Sequence, residues 1–209
     1  MTCILPGGIG QLFSGGTTTW VASFTSNFIN LSNNLLTATG NTPGHSGTTR
    51  GQFKTGGKLY FEVTAAAFGS GTAFAVGVCD TSFLITNDSP PGLDAAGHSA
   101  SVAAGPGRYA TWFQNALVTG GLTAPALGDI LGVAVDLTAA PTSTRVWFAA
   151  NNVWFNSSGP AGMPDATLTD VVAPCASADF AGSTATALTL NTGGTPFHYT
   201  PPSGFVAWG

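Results

Sequence analysis

Nine carboxylates, three histidines and three cysteines are the groups in this chain best suited to acid–base or metal chemistry. Their spacing supports little of it. His45, His98 and His198 lie far apart, and none falls in an H-x-x-x-H or H-E-x-x-H arrangement, so neither a metal site nor another cofactor is expected. Cys3, Cys79 and Cys175 contain no C-x-x-C pair and are too scattered for a disulfide framework. Cys79 and Cys175 fall in apolar runs and are expected as small buried hydrophobes. Glycosidase chemistry needs two acids across a cleft. Here Asp129 and Asp136 bracket one run, where they are expected to serve its turns, and the only glutamate, Glu62, sits mid-run, where hydrogen bonding within the fold is expected. No G-x-S-x-G elbow occurs, and the Gly-rich first residues are followed by no Gly-Lys-Ser/Thr, so they are not a phosphate loop. The chain is expected not to be an enzyme.

What remains are candidates for binding. Two stretches rich in Gly, Pro and Ser, 85–108 and 157–170, interrupt an otherwise regular rhythm, and loops of that length commonly carry function. The first holds Asp94, His98 and Arg108; the second holds Asp165 and is bordered by Trp154. Arg108 suits an anionic or hydroxylated ligand. Trp154, beside Asn and Ser, is expected to be partly exposed, as a stacking platform for a sugar ring would be. These five residues form the candidate ligand-binding set, whereas Trp112 and Trp147 fall inside strand-like runs and are read as core.

The elements that must position them read as short strands. Apolar and β-branched runs recur at 18–24, 28–31, 35–39, 48–53, 59–65, 73–79, 99–103, 109–113, 130–137, 144–150, 171–177 and 184–190, with turn formers between and no convincing helix. Leu59, Phe61 and Val63 share one face of their run, with Tyr60 and Glu62 on the other, and Leu131, Val133, Val135 and Leu137 likewise share a face. Asn151-Asn152, flanked by aromatic and β-branched residues, predicts a two-residue hairpin turn. More than ten such strands without helices predict a two-sheet sandwich, one domain over 17–209.

Residues 1–16 read differently. Five glycines preclude a stable helix there, yet Ile4, Leu5, Ile9, Leu12 and Phe13 are too many large apolar side chains for a free tail. The segment is expected to be an extended leader that docks, either on its own domain or as an anchor on a partner subunit. It shows neither the cationic region nor the long apolar run of a secretory signal, and no stretch of the chain approaches the ~20 apolar residues that span a bilayer, so no membrane insertion is expected.

Composition narrows the partners. Apolar residues make up 44%, enough for a core, while charged residues make up only 7% against roughly a quarter in an average domain. A surface so poor in charge does little to keep copies apart, which fits a homo-oligomer or burial in a larger assembly. The net charge is −4 and the five cations are scattered, so there is no basic stripe for nucleic acid.

Five segments in fixed order, taken together, resemble the SPRY family of β-sandwich modules. They are Gly-Lys-Leu-Tyr-Phe-Glu-Val at 57–63, Ala-Val-Gly-Val at 75–78, Gly-Asp-Ile-Leu-Gly-Val-Ala-Val-Asp-Leu at 128–137, Val-Trp-Phe-Ala-Ala-Asn-Asn at 146–152, and the ending Leu190 to Phe205 with its Pro-Pro-Ser-Gly-Phe tail. Asn152 stands where that family usually has Gly. The resemblance implies an all-β fold: a bent two-sheet antiparallel β-sandwich, SPRY-like and related to the concanavalin-like jelly roll. It also implies a binding surface built from loops at one edge, without fixing the ligand. The ending is similar to that of SPRY-like chains of bacteria and their phages. With the leader and the low charge, it leads to the expectation of a virion protein: a phage fibre, spike or head-decoration subunit, trimeric by analogy with fibres. Such a subunit would contact other virion proteins through 1–16 and a host surface glycan or protein through its loops. Two rival expectations are an intracellular peptide-binding module and a carbohydrate-active enzyme.

Overall fold

The computed structural model describes residues 17–68, 73–105, 108–120, 124–181 and 184–209. The leader 1–16, with Ile4, Leu5, Ile9, Leu12 and Phe13, lies outside the described residues. In chain order the strands are β1 (Ile29–Ser32), β2 (Thr37–Gly40), β3 (Ser46–Arg50), β4 (Lys58–Ala67), β5 (Phe74–Asp80), β6 (Ser99–Gly105), β7 (Arg108–Phe113) and β8 (Ala116–Gly120). They continue as β9 (Ile130–Ala139), β10 (Ser143–Ala150), β11 (Val153–Trp154), β12 (Ala166–Leu168), β13 (Val172–Ala181), β14 (Thr184–Ala185), β15 (Ala187–Asn191) and β16 (Val206–Ala207). The helical content of the described residues is two single 3-10 turns, Ala22–Phe24 and Gly159–Ala161. No helix of the described residues is long and apolar enough to cross a membrane.

Two sheets result. The first runs β1-β2-β15-β4-β9-β10-β11, with β12 alongside β10 and β16 alongside β4; the second runs β14-β13-β5-β6-β7-β8, with β3 alongside β13. All pairings are antiparallel except β16 on β4, which is parallel. The period-2 pattern becomes the core: Leu59, Phe61 and Val63 of β4 and Leu131, Val133, Val135 and Leu137 of β9 face Val76, Val78, Val102 and Tyr109 of the second sheet. Asn151 and Asn152 have positive φ (48° and 64°) and close the β10–β11 hairpin, as their sequence predicts.

Segment 18–24 is a correction. It forms no strand ladder, because its backbone bonds go to separate places: the Trp20 N–H to the Leu35 carbonyl, the Val21 N–H to that of Arg50, and the Phe24 N–H back to Val21. Trp20 nevertheless sits in the core, fully buried. The stretch 157–170 is also less open than expected, since β12 lies within it and pairs Ala166 with Val146.

The C-terminal segment lies over the outer face of the first sheet. Phe205 meets Trp147 edge-on with ring centres 6.1 Å apart, and Phe197 meets Tyr60 in the same way at 5.0 Å. Beneath them is Glu62, fully buried. Its carboxylate accepts the Tyr199 N–H (2.9 Å), the His198 N–H (2.8 Å) and the Tyr60 hydroxyl (3.1 Å). Burial, with the Glu62 carboxylate beside it, raises the Tyr60 phenol far above its ordinary value, so it remains a donor.

Candidate functional site

The outer face of the second sheet is built of unusually small residues. On β5, β6, β7 and β13, Ala75, Ala103, Ala110 and Ser177 alternate with core residues and so point away from the sandwich interior. The loop between β5 and β6 folds across this face. Its two ends are pinned together at Asp80 and His98: the Asp80 N–H donates to the His98 carbonyl (2.8 Å), and Asp80 Oδ2 lies 2.9 Å from His98 Nδ1. The other Asp80 oxygen accepts the N–H groups of Ser82 and Phe83. The hydrogen bond to Asp80 raises the His98 pKa above its ordinary value.

Further contacts seat the loop. The Thr48 hydroxyl donates to the Ser89 carbonyl (2.9 Å), the Ser101 hydroxyl to the Pro91 carbonyl (2.7 Å), and the Gly92 N–H to the Ser99 hydroxyl (2.7 Å). Phe83 and Ile85 cover Cys79 and Cys175, both fully buried as expected. Burial pushes the Cys175 thiol well up, with the Cys79 thiol beside it as a lesser cause.

Where the loop stops short, a groove of about 440 Å³ remains open. Its floor is Ala75, Ala103 and Ala110; Pro90, Pro91 and Leu93 of the loop form one wall, with Trp112 among the lining residues. Its polar groups are Arg108, which is exposed, and Ser46, Ser177 and Asp179. The Ser46 and Ser177 hydroxyls are 2.5 Å apart, and Asp179 accepts the Ala73 N–H at 3.1 Å. Burial raises the Asp179 carboxyl above its ordinary value. An apolar floor edged by a few placed polar groups is the usual make-up of a ligand pocket, and the volume falls in the usual range.

Of the five candidate residues, the structure brings three to this side of the molecule. Arg108 lines the groove. Asp94 and His98 shape the loop rather than the groove: Asp94 accepts the His98 N–H at 2.6 Å and the Ser99 hydroxyl. Trp154 and Asp165 belong to the other sheet. Trp154 is half-buried as expected, and its ring lies so close to Gly159 that a Cβ there would meet it at 2.9 Å. Asp165 is buried and accepts the Phe148 N–H at 2.8 Å. Sequence reasoning missed the groove's alanines and misread Trp112 as core; it is half-buried at the groove instead. Its alternation with Tyr109 and Thr111, which are both buried, is the signal that points it outward. Among the described residues no three His, Cys, Asp or Glu side chains are placed to hold a metal ion.

Asp165 carries a pH prediction. Burial lifts its carboxyl from 3.8 to about 6, against the smaller lowering effect of the Phe148 N–H. The folded state therefore holds the proton more tightly than the unfolded chain. The stability this gives is fully present below about pH 4 and is lost as pH rises through about 6. Two pH units correspond to an upper bound of ~3 kcal/mol. Asp165→Asn keeps the acceptor for Phe148 and has no proton to lose. Its melting temperature should match the parent's near pH 4 and exceed it at pH 8; parallel melting curves across that range would refute the assignment.

Comparison with known proteins gives a fold and no closer kinship. No family model matches the chain, and no curated protein matches it. Among solved structures, the TRIM65 PSpry domain superposes with a TM-score of 0.52 at 16% identity, covering 84% of this chain and 90% of that one. Stonustoxin superposes with a TM-score of 0.51, also at 16% identity, over 84% of this chain and 27% of that one. The sandwich described above, from the β4 motif to the C-terminal strap, is thus a SPRY-like fold.

Proposed function

We propose that the chain is a non-catalytic binding module that holds a short extended segment of a partner protein in the groove on its second sheet. The observation that carries this reading is the groove's chemistry: alanine floor, proline and leucine wall, Trp112, and few polar groups, at Arg108, Asp179, Ser46 and Ser177. A sugar ring laid on alanines would leave hydroxyls without partners, a penalty an apolar side chain does not incur. A peptide backbone with small apolar side chains suits the floor, an acidic neighbour suits Arg108, and a basic one suits Asp179. Among the described residues no His, Cys or Lys lines the groove, and the Ser46 hydroxyl there is engaged by Ser177. The setting inferred from sequence, a virion subunit anchored through 1–16, rests on the low charge, that leader, the lack of a secretory signal pattern and the phage-like ending; the groove chemistry favours a protein ligand there as it does for an interaction module inside a cell.

Selection of a random-peptide display library on the purified full chain tests this. Enriched peptides should be apolar in the middle and should bind the parent at least about ten-fold more tightly than Ala103→Phe, which fills the floor. Ala103 is half-buried and points out of the core, so that variant should melt close to the parent. Identical enrichment on parent and variant, or ligands found only on a glycan array, would overturn the proposal.

A further inference from the structure

Arg50, the last residue of β3, stands apart from the other cations. It is only 9% exposed, yet no Asp or Glu among the described residues forms an ion pair with it. Its guanidinium carbon lies 3.5 Å from the centre of the Phe24 ring and 4.3 Å from that of Phe53, so two aromatic rings hold it in place. The one hydrogen bond it makes to the described residues is from Nη1 to the Gly51 carbonyl, at 3.2 Å. A guanidinium has five N–H donors, so four have no acceptor among the described residues. None of its nitrogens is among the buried unpaired polar atoms of the described residues, so those without a protein acceptor face solvent, where an anion can reach them. The neighbouring Cys175 supplies no countercharge, because burial keeps its thiol protonated.

Beside Arg50 is a second pocket, of about 300 Å³, lined by the first part of the β5–β6 loop, whereas Pro90, Pro91 and Leu93 of that loop line the groove. Ser23, Thr25 and Thr81 line it with hydroxyls, and Phe83, Leu84 and Ile85 give it an apolar wall. Two of the hydroxyls are already engaged: Thr25 donates to the Val21 carbonyl, and Thr81 to Asp170. No second Lys or Arg lines the pocket, so a dianion would be only half neutralised there. A monoanion is matched. Leu84, 76% exposed, leaves apolar surface at the rim for a hydrocarbon stem beside the anion. The leader 1–16 contains no Asp or Glu, so it cannot supply the anion itself.

We propose that this pocket is a carboxylate site, in which Arg50 grips a monocarboxylate with an apolar stem, as a protein C-terminus or an acidic side chain presents. The planar fork takes both carboxylate oxygens at once, and the rings of Phe24 and Phe53 orient it beforehand.

The test follows the Arg50 Nε–Hε resonance of the full chain by NMR, assigned by its loss in Arg50→Lys, while probes are added. N-acetyl-leucine stands for a C-terminal carboxylate, and N-acetyl-glutamic acid α-amide for an acidic side chain; whichever binds more tightly identifies the source. N-acetyl-leucinamide, which lacks the charge, is the control. A saturable shift is expected with at least one acid and none with the amide, and Arg50→Lys should weaken binding, read by calorimetry, about ten-fold or more. Should Arg50→Lys fail to fold, Ser23→Glu, at an exposed position lining the pocket, places a tethered carboxylate in it and should abolish the response in a folded protein. Equal shifts with acid and amide, saturation by inorganic phosphate at lower concentration than by either acid, or an unmoved Arg50 resonance would each overturn the proposal.

Discussion

Glu62→Ala is expected to destabilise the protein by ~3–4 kcal/mol and to free the C-terminal segment from the first sheet. The carboxylate accepts two backbone N–H groups from that segment, at His198 and Tyr199, and a hydroxyl from Tyr60 beneath it. Hydrogen bonds to a charged acceptor contribute roughly 1.5–3 kcal/mol each, and donors left unpaired in a buried place add their desolvation cost. The sum is not additive, since a loosened segment lets water reach the orphaned groups. Glu62→Gln keeps acceptor capacity on one atom only and should cost about half as much. Chemical denaturation measures the loss, and hydrogen exchange localises it: the amides of His198 and Tyr199 should exchange much faster in Glu62→Ala, with β9 amides changed only through global stability. A loss below ~1 kcal/mol, or unchanged exchange at 198–199, would show that the aromatic contacts of Phe197 and Phe205 hold the segment without the carboxylate.

Much of this arrangement is legible in the sequence, and the part that is not has a physical reason. Alternation along 59–63 and 131–137 announces which side chains enter the core, because the strand period is 2 and one face of each sheet must leave water. The Asn-Asn turn announces itself because few residues tolerate positive φ. Glu62 is expected to bond within the fold, but its partners, His198 and Tyr199, lie more than 130 positions away, and no local pattern encodes them. The groove escapes for the opposite reason. Its floor is alanine, a residue equally at home in a core or on a surface, so nothing in 75, 103 or 110 marks them as a site. Arg108 is found because a lone cation in a long loop is conspicuous. Arg50 is missed because a cation ending the polar run Ser-Gly-Thr-Thr looks like a surface residue, and only the fold brings the Phe24 and Phe53 rings against its guanidinium. Asp94 and His98 show how a loop acid or histidine serves the loop: they fix the cover over the second sheet, so the groove depends on them without being lined by them.

Among the described glycines, Gly77→Ala should be the most disruptive change to alanine. Gly77 sits in β5, the strand between β13 and β6, opposite Ser101 on one side and Cys175 on the other. A methyl group there would lie 1.9 Å from the Ala100 carbonyl oxygen and 2.7 Å from Ser101 Cα, both backbone atoms that no side-chain rotation can move. The β5–β6 ladder must therefore open or shift, in the middle of a sheet packed against the core, and the expected cost is ~4 kcal/mol or more. For a domain of this size that is a fall in melting temperature of about 10 °C. The damage should reach the binding face as well, since β6 carries Ser99 and Ser101, which hold the loop at Gly92 and Pro91. Peptides selected on the parent should consequently bind Gly77→Ala more weakly even below its melting transition. Gly56→Ala is the matching control: nothing lies within 4 Å of the added methyl, and its effect should stay within ~0.5 kcal/mol. If Gly77→Ala melts with the parent, the two strands have slack between them, and the close backbone approach cannot be why a glycine occupies the centre of β5.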